Sequence, residues 1–382
     1  MVSRRRLEVR RVKRWGKVAL LALVISFVTL EFASMVAIEV GLIAADKPNY
    51  LIPGLRPFWI NSNPHFGVWH EPNTEYVHTK SCFSVTYRTN SYGARDRMRQ
   101  SHGKASRVVV IGDSFVEGYG LNREDRTTDI LEASSGVQHL NFGTSGHFGP
   151  TQSFLLYKHL AKRFYHNIVL FGFLPDNDFT DDDPAHASSY PRQYRPYYVG
   201  KGDNYKLDYV NVKQRGFLER DIRRERRRFF NRALRNFTYA ANAINYLLQF
   251  YRLNAIRFKD GRVVSASTYS GYYDFTKPQA ERLIYVLEQM LIEAEGKTFI
   301  VFVIPRPADM QSGPAPLLSI LDFLAEEHQN LHIVDLRKSF ARQENWVDFY
   351  RECDGHWSPA GANAAAEALL ADPIYRQSLG LD

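Results

Sequence analysis

Cysteine is almost absent from this chain: 382 residues contain two, Cys82 and Cys353. That excludes a disulfide-framework fold and any cysteine-rich metal centre. No His/Cys/carboxylate cluster stands at metal-ligand spacing either, so neither a metal nor a cofactor is expected. Excess charge is missing once the N-terminus is set aside. Arg4, Arg5, Arg6, Arg10, Arg11, Lys13, Arg14 and Lys17 against Glu8 place +7 of the formal +8 in the first seventeen residues. The near-neutral remainder gives a folded domain no electrostatic footprint for nucleic acid. Two glycine signatures are lacking around Ser114. Phe115-Val116 follow it, so the Gly-x-Ser-x-Gly spacing of the α/β-hydrolase elbow is not met, and no Gly-Lys-Ser/Thr ending marks a phosphate-binding loop. With 45% hydrophobic and 24% charged residues the composition is globular, and the length suits one large domain or two small ones.

What is present begins with the basic tail, residues 1–17, and an apolar segment from Val18 to about Ala45, interrupted by Glu31 and Glu39. No small-x-small cleavage site closely follows the strongly apolar part, so the segment reads as a signal-anchor helix. Its basic end faces the cytoplasm and the rest of the chain lies outside, periplasmic or extracellular. Glu39 fits near the outer interface; Glu31 requires a partner or a shifted span. A surface-lying helix and a cleaved signal peptide are the alternatives. Residues 46–105 hold Pro48, Pro53, Pro57, Pro64 and Pro72, which read as an extended linker. The alternating stretch Phe83 to Asn90 then reads as a strand entering a turn at Ser91-Tyr92-Gly93. Packing is the expected role of that strand, ahead of shaping a cleft.

From Arg107 the apolar runs 107–112, 137–142, 167–174, 298–304 and 331–335 alternate with helical patterns near 123–133, 150–163, 277–295, 314–328 and 358–371. This is the rhythm of a parallel sheet covered on both faces. The first run ends abruptly in Gly112-Asp113-Ser114, which puts a candidate nucleophile at the carboxyl end of a buried strand, where open α/β sheets keep their ligand crevices. Serine needs a base for its proton and donors for an oxyanion. Three later stretches offer them: Asn141 to Gly146, Pro175-Asp176-Asn177-Asp178, and Asp354-Gly355-His356.

With these four stretches in this order, residues of about 105–371 resemble the SGNH (GDSL-type) hydrolase superfamily, in its membrane-anchored bacterial form. The resemblance implies an α/β fold, a three-layer α/β/α sandwich on a parallel five-stranded flavodoxin-like sheet, for a hydrolase domain spanning 106–382. It implies Ser114 as nucleophile, His356 as base and Asp354 as the group orienting it. The oxyanion hole would be the Ser114 N–H, the Gly146 N–H (with Gly143 as rival) and the Asn177 amide. Two departures stand out. Pro175 replaces the glycine expected two residues before Asn177, and the last block is Asp-x-His, one residue shorter than the usual Asp-x-x-His. The second departure puts Asp354 in more doubt than His356, with Asp348 as the substitute.

The domain is interrupted by an insertion at about 180–275. It holds a hairpin-like stretch at 197–207 and a long helical stretch from about Phe217 to Phe258 rich in arginine, either a solvated face or a dock for anionic glycan or lipid head groups. Following directly on Asn177, the insertion is expected to roof the cleft. In an exported domain Cys82 and Cys353 could pair; two free buried thiols is the equal alternative. The expected activity is that of a serine esterase on O-acyl esters, the substrate being an acylated envelope or extracellular glycan or another ester. O-acyl transfer to a polysaccharide through the same site, and glycan binding without catalysis, are the other readings.

Overall fold

Five strands with uninterrupted apolar cores dictate the centre of the molecule. The computed structural model describes residues 2–53, 58–189, 194–202, 204–210, 223, 226, 228–248, 270–311 and 313–381. In it β5 (Arg107–Gly112), β6 (Gln138–Gly143), β7 (Ile168–Phe173), β10 (Thr298–Val303) and β11 (Leu331–Asp335) form one parallel sheet in the order β11-β10-β7-β5-β6. Each lies within about a residue of its expected run, because a strand buried on both faces is written as a continuous apolar stretch. Along β5, Val109 and Ile111 enter one core with residues of α4 (Pro150–His159), α8 (Lys277–Ala294) and α9 (Pro316–Glu327). Val108 and Val110 enter the other with α3 (Thr127–Ser135), α11 (Pro359–Leu370) and α12 (Pro373–Leu379). The result is the three-layer α/β sandwich expected. Strand order reverses between β5 and β7, so the crevice at their carboxyl ends is the switch point of the sheet.

Three expectations change outside the sheet. The proline-rich stretch read as linker contains a hairpin, β1 (Trp59–Asn63) with β2 (Gly67–His70), and the expected strand at 83–90 is β4 (Phe83–Arg88), paired antiparallel with β3 (Glu75–Lys80). The apolar N-terminal segment belongs to one helix, α1 (Val2–Glu39), which takes in the basic tail and ends before Ala45. Its part from Lys13 to Glu39 is long and apolar enough to cross a membrane. In the insertion, β8 (Arg195–Val199) and β9 (Lys206–Val210) form the hairpin, whereas the long helix is broken. Helix α6 (Phe229–Phe237) stops at Thr238, whose φ of −138° is extended, and a new helix, α7, occupies 239–248. The rest of the expected helical stretch, 217–222 and 249–258 among it, falls almost wholly outside the described residues.

Hairpin β8–β9 packs against α4 and β2, while α7 packs on α1, with Ala243 in one apolar cluster with Ile38 and Ala45.

Cys82 and Cys353 form a disulfide across 271 residues of chain, with Cα atoms 5.8 Å apart. It ties the β3–β4 turn to the loop that carries His356. Closing so long a loop restricts the unfolded chain strongly. Replacing both cysteines by serine is therefore expected to lower stability by about 2–4 kcal/mol, measured as the loss of denaturant midpoint in the detergent-solubilised chain. An unchanged midpoint would mean the bridge is not formed in solution.

Candidate active site

Block one is built by glycine and a cap. Gly112 ends β5 with φ 153°, and a Cβ there would come within 2.8 Å of the Gly172 carbonyl oxygen on β7. The chain then turns through Asp113, whose carboxylate accepts the Phe115 N–H at 2.9 Å and caps α2 (Ser114–Glu117). Ser114 is thus the first residue of a helical turn, where backbone N–H groups have no acceptor within the helix. Burial, with the charge of Asp181 nearby, pushes the Asp113 carboxyl up to about 7. The Ser114 hydroxyl lies 3.4 Å from Asp113 Oδ2 and 2.9 Å from His356 Nε2.

His356 sits on a tight turn. The Gly355 N–H donates to the Arg351 carbonyl and the Arg351 N–H to the His356 carbonyl, both at 2.7 Å. Gly355 has φ 72°, and a Cβ on it would stand 2.7 Å from Arg306 Nη2. Ser358 and Pro359 then start α11 as N-cap and first helical residue. The imidazole stacks on Tyr119, ring centroids 4.3 Å apart, and leans on Phe115.

Asp354 is brought to His356, but its oxygens are shared. Oδ1 accepts the His356 backbone N–H at 3.0 Å and stands 3.4 Å from Nδ1, while Oδ2 lies 3.3 Å from Lys80 Nζ. Nδ1 is left without a well-formed hydrogen bond. The short Asp-x-His spacing is the cause: a carboxylate two residues before the histidine reaches that residue's own N–H first. Asp348 is exposed on the preceding turn, and its carbonyl accepts the Ser358 hydroxyl. Burial works against the Asp354 charge, yet the His356 ring and Lys80 hold the carboxyl well below its usual range.

The two candidate glycines separate cleanly. Gly143 packs against α2, where a Cβ would meet the Glu117 backbone at 2.2 Å, and its N–H already donates to Asn141 Oδ1 at 2.9 Å. Gly146 has φ 109° in a reversal continued by His147 at φ 62°. Its backbone is fixed from both sides: the Ser145 N–H donates to Glu117 Oε2 at 2.6 Å, and Arg195 donates to the His147 carbonyl. Asn177 lies in the first turn of α5 (Pro175–Asp181), after β7. Pro175 takes the first helical position, where no N–H is needed, and packs against Gly271, at which a Cβ would stand 2.1 Å from the Pro175 carbonyl carbon. The Asn177 amide nitrogen reaches Asp181 only at 3.4 Å, and its buried oxygen is without a partner.

Several contributors were not legible beforehand. Glu117 is fully buried, and its carboxylate accepts Trp59 Nε1 at 3.1 Å, His70 Nε2 at 3.1 Å and both donors of Ser145. Tyr119, Lys80 and Arg306, the last 3.6 Å from Asp176, complete the surroundings. Only the position of Glu117 next to the Gly-Asp-Ser block hinted at a role. Tyr119 also lines a cavity of about 350 Å³ with Trp59, Tyr76, His78 and Arg235, and Ser114 is not among its lining residues.

No protein-family model matches the chain, and no curated protein matches it. Solved structures do resemble it. A lipolytic protein of the G-D-S-L family from Veillonella parvula is 12% identical, with TM-score 0.37 over 71% of this chain and 99% of the other. A lipase/acylhydrolase from Enterococcus faecalis is 12% identical, with TM-score 0.36 over 72% and 96%. A carbohydrate esterase family 2 enzyme with a carbohydrate-binding domain from Corynascus thermopiles (Myceliophthora fergusii) is 11% identical, with TM-score 0.38 over 74% and 69%.

Burial, opposed by Asp354, lowers the His356 pKa below the ordinary 6.5. Because only neutral imidazole accepts the serine proton, the acid limb of kcat/KM should have its midpoint below 6.5. Asp354→Asn removes the group that raises this pKa, so the limb should move further down. The rate should fall by less than the roughly 10⁴-fold that loss of a tightly bonded triad carboxylate costs. A midpoint above the ordinary value, or one that rises in the variant, would contradict this geometry.

Proposed function

We propose that the chain is an SGNH-type serine esterase that cleaves O-acyl esters outside the cytoplasm, with an acylated envelope or extracellular glycan as its substrate. The observation that carries the chemistry is the 2.9 Å contact between Ser114 Oγ and His356 Nε2 at the switch point of the sheet. His356 takes the Ser114 proton as Oγ attacks the ester carbonyl. The tetrahedral oxyanion rests on the Ser114 N–H, the Gly146 N–H and the Asn177 amide, each such donor supplying about 3–4 kcal/mol in the transition state. The imidazolium returns the proton to the departing alcohol. Water, deprotonated by the same imidazole, then attacks the acyl-enzyme and releases the acid.

Hydrolysis ranks ahead of transfer because it needs no group beyond the serine, the imidazole and the oxyanion donors, whereas transfer needs a site that holds a second alcohol in preference to water. The proposed location is supported by the apolar part of α1 with the basic residues at its start and by the 82–353 bridge, a kind of bond that persists in oxidising compartments.

The test uses the full chain in detergent micelles with a short activated acyl ester. Ser114→Ala and His356→Ala should each reduce release of acid by several orders of magnitude. Adding envelope oligosaccharide should leave free acid as the product by mass spectrometry. Folded wild type without activity would sink the enzymatic reading, and acylated sugar would replace esterase by acyltransferase.

A further inference from the structure

Glu31 lies where a carboxylate is costly. Counting the roughly 20 residues of a membrane span from Val18 reaches Ala37, which leaves Glu31 about 9 Å inside the hydrocarbon. The cost is met from the insertion: Glu31 Oε1 accepts the Tyr239 N–H at 2.7 Å and Oε2 the Ala240 N–H at 2.9 Å. These are the first N–H groups of α7, which have no acceptor in their own helix. Two groups that a bilayer would leave unsatisfied thus satisfy each other. The face of α1 that carries Glu31, Ser34, Met35 and Ile38 is the covered one, while Phe32 and Val36 stay exposed. Ile38 packs with Ala243, Tyr239 and Tyr246. Tyr239 donates to Glu39 Oε1 at 2.7 Å, and Lys47 pairs with the other oxygen of Glu39 at 2.6 Å.

If Glu31 is in the membrane, so is the start of α7. The outward surface of the insertion agrees. On α7, Ile244, Leu247 and Leu248 form one stripe, the last two 53% and 51% exposed; on α6, Phe230, Leu234 and Phe237 form another, Phe230 being 68% exposed. Phe237 meets Tyr50 edge-on, next to the exposed Leu51 and Ile52. On α6 the opposite side carries Arg232 and Arg235, which face the cavity and Asp46. An apolar stripe opposite a basic, polar face is the pattern of a helix lying in a membrane interface.

We infer that α6 and α7 are a second membrane element, embedded beside α1 in the outer leaflet, so that the catalytic domain is held flush against the lipid surface. This rests on the reading of α1 as a span.

The test places single cysteines in the full chain, whose own cysteines are bridged, at Leu248→Cys, Phe230→Cys, Val28→Cys in the span and Phe323→Cys on α9. Each is labelled with a polarity-sensitive fluorophore and reconstituted in phosphatidylglycerol vesicles containing nitroxide-labelled lipid. Quenching at positions 248 and 230 should match that at 28, with none at 323. Quenching at 28 alone would overturn the second element and leave the anchor standing; no quenching at 28 would show that the anchor itself is wrong. A blue-shifted but unquenched label at 248 would mean that protein, such as a second copy of the chain, covers the face, and would also overturn the inference.

Discussion

The Glu117 carboxylate is the point on which the arrangement around Ser114, the proposed nucleophile, depends. It is fully buried at the end of the four-residue helix that starts with Ser114. Burial alone would push its pKa up. Hydrogen bonds from His70 and Ser145, together with the charges of His70 and Arg95, hold it below the usual range. His70 Nδ1 faces the Gly93 carbonyl at 2.8 Å while Nε2 faces Glu117 at 3.1 Å, so both ring nitrogens meet partners. This buried carboxylate is a weak source of net stability, though removing one of its partners is costly. Its effect here is positional: one carboxylate joins the hairpin β1–β2, the nucleophile helix and the Ser145-Gly146 reversal. The N-terminal hairpins are therefore part of the site rather than a tether to it.

A second hairpin acts in the same way on His356, the proposed base. The β3–β4 turn is bridged to Cys353, Lys80 holds Asp354, and Tyr119, on which His356 stacks, lies 3.4 Å from His78. The short Asp-x-His turn gives the imidazole a poor orienting carboxylate, and ring stacking with the disulfide takes over part of that restraint. The proposed membrane attachment fits the same logic, since α1, residues 46–53 and the hairpins are consecutive in the chain and joined by contacts such as the Asp46–Lys80 bridge.

The sheet was legible because burial on both faces leaves a local mark, an unbroken apolar run, at each of its strands. Ser114, Asn177 and His356 were legible because they follow such runs or precede a helix with a clear cap. Glu117, Lys80 and Tyr119 were not, since their partners are 28 to 274 residues away and no local pattern records such pairings. Hairpin β1–β2 was hidden by prolines that suggested a linker. The helix break at Thr238 was hidden by good helical patterning on both sides; the Thr238 hydroxyl, which accepts the Ala241 N–H at 3.4 Å, and the carboxylate of Glu31, some two hundred residues earlier, account for the new helix start.

In the proposed reaction Ser114 carries the acyl group. Wild type mixed with a slowly turned-over activated ester, quenched in acid and digested, should show the acyl mass on the peptide containing Ser114 and on no other. An acyl group found elsewhere, or ester hydrolysis that persists undiminished in Ser114→Ala, would contradict the account.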